Sequence, residues 1–191
     1  MMPGRRTIAL VGPSLSGKTS LLESMLSIGK AIPRKGSVKE GNTVGDASPE
    51  ARARQSSVEL TVAGATFDGR DVIVIDCPGS VDFVAETYNA LIGADAAVVV
   101  AEPVAERALT LAPLFHMLDH HGIPHVLFIN KVDRAAAALR EVLPAIQAVS
   151  GRPLVLHEVP IRDVDAVTGY VDLVSEQAYA FRPGAPSDQI A

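Results

Sequence analysis

Thr7-Ile8-Ala9-Leu10-Val11 is a continuous apolar run closed by Gly12, the pattern of a strand buried on both faces. Lys18 to Ile28 then places Leu21, Leu22, Met25 and Ile28 at helical spacing and stops at Gly29, which predicts an amphipathic helix. From Lys30 to Gln55 periodicity disappears among Pro33, Gly36, Gly41, Gly45 and Pro49. The expectation there is a long loop, and loops of that length are usually functional or mobile. Val58 to Phe67 alternates through Val58, Leu60 and Val62, Asp68-Gly69 reads as a tight turn, and Arg70 to Ile75 returns as a second strand. Further along, Ala94 to Ala101 predicts a strand, Glu106 to His121 a helix and His125 to Ile129 a strand. Arg134 to Ser150 reads as an alanine-rich helix that Pro144 kinks or divides.

Short apolar strands alternating with helices predict an α/β fold. The expected architecture is a doubly wound, mostly parallel sheet with one antiparallel strand. Beyond Gly151 the pattern changes: Leu154 to Val159 and Tyr170 to Val174 are short alternating runs that predict antiparallel strands. A boundary near residue 150 therefore divides a main unit, 1–150, from a smaller one, 151–191.

Composition narrows the class. Hydrophobic residues make up 48% and charged residues 20% of 191 positions, a globular mix. The net charge of -5 argues against a chain that coats nucleic acid by charge alone, and nothing suggests sequence-specific DNA binding. The single cysteine, Cys77, excludes an intramolecular disulfide framework and a cysteine-based zinc site. There is no apolar run long enough to predict a membrane span, and Met1 to Arg6 does not resemble a signal peptide. A soluble, cytoplasmic protein is expected.

Three motifs carry chemistry. Gly12-Pro13-Ser14-Leu15-Ser16-Gly17-Lys18-Thr19 is a full G-x-x-x-x-G-K-[ST] phosphate loop set between a predicted strand and a predicted helix. Phosphate charge demands several backbone N–H groups in one concavity, the dipole of the following helix and a cation, here Lys18. The Thr19 hydroxyl is a candidate Mg²⁺ ligand. Asp76-Cys77-Pro78-Gly79 follows the apolar strand Val72 to Ile75. A carboxylate at that strand end can hold Mg²⁺ through water, and the Gly79 N–H can meet a γ-phosphate. Asn130-Lys131-Val132-Asp133 follows Val126-Leu127-Phe128-Ile129. The Asp133 carboxylate can accept from guanine N1–H and its 2-amino group, whereas adenine offers neither donor and would leave a buried Asp unpaired. Asn130 is expected to tie this loop to the phosphate loop, and the Lys131 stem to cover the base. The candidate nucleotide contacts are Gly12, Ser14, Leu15, Ser16, Gly17, Lys18, Thr19, Ser20, Asn130, Lys131 and Asp133.

With these motifs in this order, and a long loop between the first two, the chain resembles the translational GTPases, above all the elongation factor G family and its elongation-factor-G-like members. The likeness runs from Arg5 to about Ala180 and includes Asp76 to Phe83, Asn130 to Arg134, and Thr168-Gly169-Tyr170-Val171-Asp172-Leu173-Val174. That last stretch is similar to a subdomain which elongation factor G inserts in its GTPase domain, and it separates the chain from Ras-like and tubulin-like readings. The resemblance implies a P-loop NTPase fold, GTP and GDP as ligands with Mg²⁺, hydrolysis of GTP to GDP and phosphate, and the ribosome as partner. It implies catalytic roles for Lys18, Gly79 and Ser80, with Thr19, Ser57 and Asp76 toward the metal. It also implies that a γ-phosphate orders Gly45 to Ser57 and Cys77 to Tyr88, and that Lys30 to Ser57 is poorly ordered without nucleotide.

The chain departs from the family in four places. Arg54-Gln55-Ser56-Ser57 stands where Arg-Gly-Ile-Thr is usual, leaving Ser57 as the available hydroxyl. Ser80 occupies the position of the water-orienting histidine, so slow hydrolysis is expected. Leu15 replaces a phosphate-loop aspartate, removing a possible monovalent-cation ligand. No Ser-Ala dipeptide occurs, so the guanine-carbonyl loop is missing, and the chain is expected to be the N-terminal piece of a longer protein.

Three rival readings remain. One is a guanine-nucleotide-binding regulatory module with little hydrolysis, motivated by Ser80 and Leu15. Another is an ATP-using P-loop protein. The third, a metal site at His116, His120 and His121 on one helix, lacks the glutamate of a metalloprotease motif; a solvated helix face is the simpler reading.

Overall fold

β1 (Arg6–Val11) sends Ala9 and Val11 to one side of a sheet and Leu10 to the other, and all three are fully buried. That alternation organises the protein, because each side must then be covered. In the computed structural model, residues 4–45, 48–54, 56–134, 139–163, 166–182 and 185–190 are described. Leu10 packs with Val74 and Ala65 under Leu22 and Leu26 of α1 (Lys18–Ile28). Ala9, Val11, Ala97 and Val99 pack on the opposite side against three helices. These are α3 (Val84–Ile92), α4 (Ala112–His120) and α5 (Leu139–Gln147), which contribute Leu91, Phe115, Leu118, Val142 and Ile146. Phe115 is 1% exposed, so Phe115→Ala is expected to cost about 3–5 kcal/mol through lost burial and a residual cavity. A denaturant midpoint that fails to fall would contradict that placement.

The main sheet has the order β2-β3-β1-β4-β5, with β2 (Thr61–Phe67), β3 (Arg70–Asp76), β4 (Ala96–Ala101) and β5 (His125–Ile129). β2 is antiparallel to β3, and the β3–β1, β1–β4 and β4–β5 pairs are parallel. Asp68 and Gly69 turn the β2–β3 hairpin with φ of 49° and 74°, the double left-handed geometry that matches strand twist. The fold is therefore the expected doubly wound α/β sheet. A separate antiparallel sheet joins β6 (Glu158–Asp163), β7 (Ala166–Asp172), β8 (Gln177–Arg182) and β9 (Ala185–Gln189) in sequence order.

Several boundaries differ from expectation. β2 begins at Thr61 rather than Val58 because its partner β3 ends opposite, with Thr61 paired to Asp76. Ala105–Leu111 is a 3-10 segment, and α4 starts only at Ala112, with Pro113 in its first turn. Proline lacks an N–H and would break a helix continuing from Glu106. α5 runs across Pro144 as one element; residues 135–138 of the expected helix lie outside the described residues. The long loop after α1 holds a 3-10 turn at Val38–Glu40 and a short helix α2 (Pro49–Arg54). Among the described residues the second sheet has four strands where two were expected, and Leu154 to His157 precede its first strand. No described helix is long and apolar enough to cross a membrane.

Candidate functional site

Parallel pairing brings the C-terminal ends of β1, β3, β4 and β5 to one edge of the sheet. Leu10 pairs with Asp76, Val11 with Val99, and Ala101 with Ile129. The chain leaves β1 toward β3 on one side and later returns as β4 on the other, and ligands of open α/β sheets collect at such a reversal. Two hydrogen bonds carry the ladders into the loops, from Cys77 N to Leu10 O at 3.0 Å and from Asn130 N to Ala101 O at 2.8 Å.

The phosphate-loop motif forms the turn from β1 into α1. Lys18 is 5% exposed and donates through Nζ to the carbonyls of Gly12 and Pro13, each at 2.9 Å. Thr19 lies in the first turn of α1, donating through Oγ1 to Asp76 Oδ2 at 2.6 Å, and its hydroxyl lies 3.2 Å from Ser57 Oγ. The three residues implied as metal-facing thus meet at one point, and all are buried. The Asp76 loop closes tightly on the phosphate loop at Gly79. A Cβ there would sit 2.5 Å from both Lys18 Nζ and Ser14 N, so only glycine permits the approach.

The third motif is bound to the first. Asn130 Nδ2 donates to Ser16 O at 2.9 Å, and Lys131 Nζ donates to Leu15 O at 2.6 Å. Asn130 also approaches Gly17 so closely that a Cβ on Gly17 would collide with its amide. The link expected for Asn130 is present. Asp133 lies in a 3-10 turn, Val132–Arg134, and is exposed rather than buried. The reason is positional: Asp133 lies beyond the end of β5, outside the helix-covered core.

A cleft of about 160 Å³ opens beside these loops. Its lining includes the expected Ser14, Leu15, Gly17, Lys18, Thr19, Ser20, Ser57, Gly79 and Lys131. Val38 and Ser56 also line it, and neither carried a sequence signal because the loop around them has no periodicity. Gly12 and Ser16 stand behind the loop: Gly12 serves through its carbonyl, and the buried Ser16 faces a small cavity on the far side with Glu102 and Arg107. Ser80 is turned from the cleft. Its hydroxyl donates to Asp82 Oδ2 at 3.1 Å and accepts from Asp82 N at 3.4 Å, capping the turn that leads into α3. Gln55 lies outside the described residues, as does the side chain of Arg54.

The loop from Lys30 to Ser57 is anchored from below. Glu23 of α1 is 1% exposed, accepting from Gly36 N at 2.7 Å and from Val44 N at 2.5 Å. Those two bonds bracket the turn that carries Val38 to the cleft. Sequence reasoning missed Glu23 because a lone acidic residue on a helix reads as a solvated face.

Cys77 contributes no nucleophile. Burial, with the Asp76 carboxylate beside it, pushes its thiol up to about 12, so no thiolate forms near neutral pH. His116, His120 and His121 are exposed, and their rings stack or meet edge-on. Among the described residues no group of three or more His, Cys, Asp or Glu side chains can hold a metal ion.

Comparison with known proteins matches this geometry. The sequence profile of the elongation factor Tu GTP binding domain covers residues 4–179. An elongation factor G-like protein of Synechocystis sp. is 52% identical over 186 residues, 97% of this chain and 28% of that protein. One from Mycobacterium tuberculosis is 36% identical over 181 residues, 95% of this chain and 25% of that protein. A crystallised protein of Thermus thermophilus superposes with a TM-score of 0.83 at 33% identity, covering 97% of this chain and 28% of that one. The chain thus spans about a quarter of the length of these relatives. A profile match across nearly the whole chain, on a sheet whose strand-end loops converge as such a domain requires, makes this chain a member of the elongation factor Tu GTP-binding domain family.

Proposed function

We propose that the chain binds GTP and GDP at the cleft beside Lys18 and hydrolyses GTP, as the GTP-binding part of an elongation-factor-G-like translation factor that acts on the ribosome in the cytoplasm. One observation carries the reading: Thr19 is hydrogen-bonded to Asp76 while Asn130 and Lys131 are bonded to the same phosphate loop. A triphosphate lying along that loop would have its γ-phosphate near Gly79 and its base near Lys131 and Asp133. In this reading residues 1–150 are the GTP-binding unit, and 151–191 form the subdomain that such factors insert.

Each group then has a task. The Ser14, Leu15, Ser16 and Gly17 backbone and the α1 N-terminus meet the β-phosphate. The Lys18 ammonium exchanges its loop carbonyls for β- and γ-phosphate oxygens and offsets charge that builds during transfer. Thr19 Oγ1, Ser57 Oγ and the Asp76 carboxylate are all hard oxygen donors within reach of one another, a set suited to Mg²⁺. When bound, that ion would offset the negative charge of the phosphates. Gly79 N–H orients the γ-phosphate for attack by water in line with the β–γ bridging oxygen, which departs on GDP. Family membership weighs against a module that does not turn over, for which the engaged hydroxyl of Ser80 is the argument.

Single-turnover GTP hydrolysis with and without ribosomes tests the proposal. Measurable GDP formation, faster with ribosomes, is expected. Ser80→His should raise the rate about tenfold or more, because histidine gives up the hydroxyl bond that turns Ser80 toward Asp82 and frees a longer imidazole side chain to reach the water beside Gly79. Failure to bind or cleave GTP in both settings would overturn it.

A further inference from the structure

Two residues with side chains hold left-handed backbone at the cleft, Leu15 with φ 64° and Lys131 with φ 58°. Such a conformation is strained for both and persists only where surrounding contacts enforce it. The two are joined directly, Lys131 Nζ donating to Leu15 O at 2.6 Å. The same ammonium donates to Glu102 Oε1, also at 2.6 Å. Glu102 Oε2 in turn accepts from Arg107 Nη1. The Glu102 side chain is only 15% exposed, against 32% for Lys131 and 55% for Arg107.

Position gives the contact its reach. Glu102 directly follows Ala101, the last residue of β4, whose carbonyl takes the Asn130 N–H. It therefore stands at the root of the Asn130 loop while its carboxylate holds the tip of Lys131. A lysine stem has four rotatable bonds, and a single carbonyl acceptor would leave it free to swing toward water. A shielded carboxylate roughly doubles the strength of the bond and fixes the ammonium at one point. Arg107 supplies a second cation, so the carboxylate is balanced with or without nucleotide.

We propose that Glu102 is a positioning residue for the nucleotide: it clamps Lys131 across the phosphate loop, so that the strained Leu15 and Lys131 backbones and the lysine stem are set before the base arrives. The claim rests on the guanine-nucleotide reading above for its effect on affinity, but not for its effect on the empty loops.

The test pairs two measurements on the chain and on Glu102→Ala, Glu102→Gln, Lys131→Ala and the Lys131→Ala, Glu102→Ala double variant. The first is titration with a fluorescent GDP. Glu102→Ala should weaken binding about tenfold, the size of one charge-assisted hydrogen bond. Glu102→Gln, which keeps an acceptor for Lys131, should recover most of that loss. In the Lys131→Ala background the Glu102→Ala step should cost less than about twofold. A merely structural Glu102 would give equal losses in both backgrounds, and that outcome overturns the clamp. The second is amide exchange without nucleotide, where Glu102→Ala should speed exchange at 14–16 and 130–133 while Lys131→Ala, Glu102→Ala adds little to Lys131→Ala. Unchanged exchange at both loops also overturns the clamp. If the unaltered chain fails to bind GDP, the guanine reading falls, and the exchange measurement still decides the clamp.

Discussion

Lys18→Met is expected to weaken GTP and GDP binding about 100-fold, a loss near 3 kcal/mol, the usual scale for removing one partner of a desolvated charge pair. The side chain is 5% exposed and tethered to Gly12 and Pro13 carbonyls, so its ammonium is already desolvated and aimed across the loop. Methionine keeps the stem and removes the donors, which limits collateral damage to packing. Titration with labelled GDP, beside a thermal melt, separates lost affinity from lost fold. Affinity within threefold of the unaltered chain, with an unchanged melt, would mean that the phosphate tail is not held by this amine.

The second large effect concerns the base. Asp133→Asn should move preference from guanosine to xanthosine diphosphate, because xanthine carries a carbonyl where guanine carries its 2-amino group and asparagine can donate to it. Fully desolvated sites of this type discriminate by about 10⁴-fold. Asp133 is exposed, so water competes for its carboxylate, and a change in preference of roughly 100-fold is the better expectation. Competition between GDP and XDP for the cleft measures it. An unaltered preference after Asp133→Asn would place the base elsewhere and revive an adenine-nucleotide reading.

Much of this was legible in the residues. The turn pair Asp68-Gly69 allowed only one hairpin, and the phosphate-loop spacing placed a strand before Gly12 and a helix from Lys18, where both occur. The convergence of three distant loops was legible only through the motifs, since periodicity says which face is buried but not which strands are neighbours. α3 carries no clear sequence signal for a physical reason. Val84, Tyr88 and Ile92 form an apolar stripe that faces out, while Thr87, Ala90 and Leu91 face in, so no polar face marks the helix. Of the two later strands of the second sheet, β9 was hidden by its turn residues Pro186, Ser187 and Asp188, while in β8 cross-strand stacking of Tyr179 on Tyr170, with ring centroids 5.0 Å apart, supplies order. Position alone puts Ser80 where the family resemblance expects a water-orienting histidine, and the residues do not reveal that the neighbouring Asp82 holds its hydroxyl, a local hydrogen bond of the kind short polar side chains make near turns.

Glu23 has a consequence for how this protein can change. Its carboxylate is sealed inside, and its two oxygens are satisfied by amides at Gly36 and Val44. Grafting in a foreign segment between α1 and β2 would therefore have to bring two inward-pointing N–H groups of its own, or leave a negative charge stranded in the interior. Helix and loop are thus bound to vary together, and a chimaera that respects only the cleft-facing residues should fail to fold before it fails to bind.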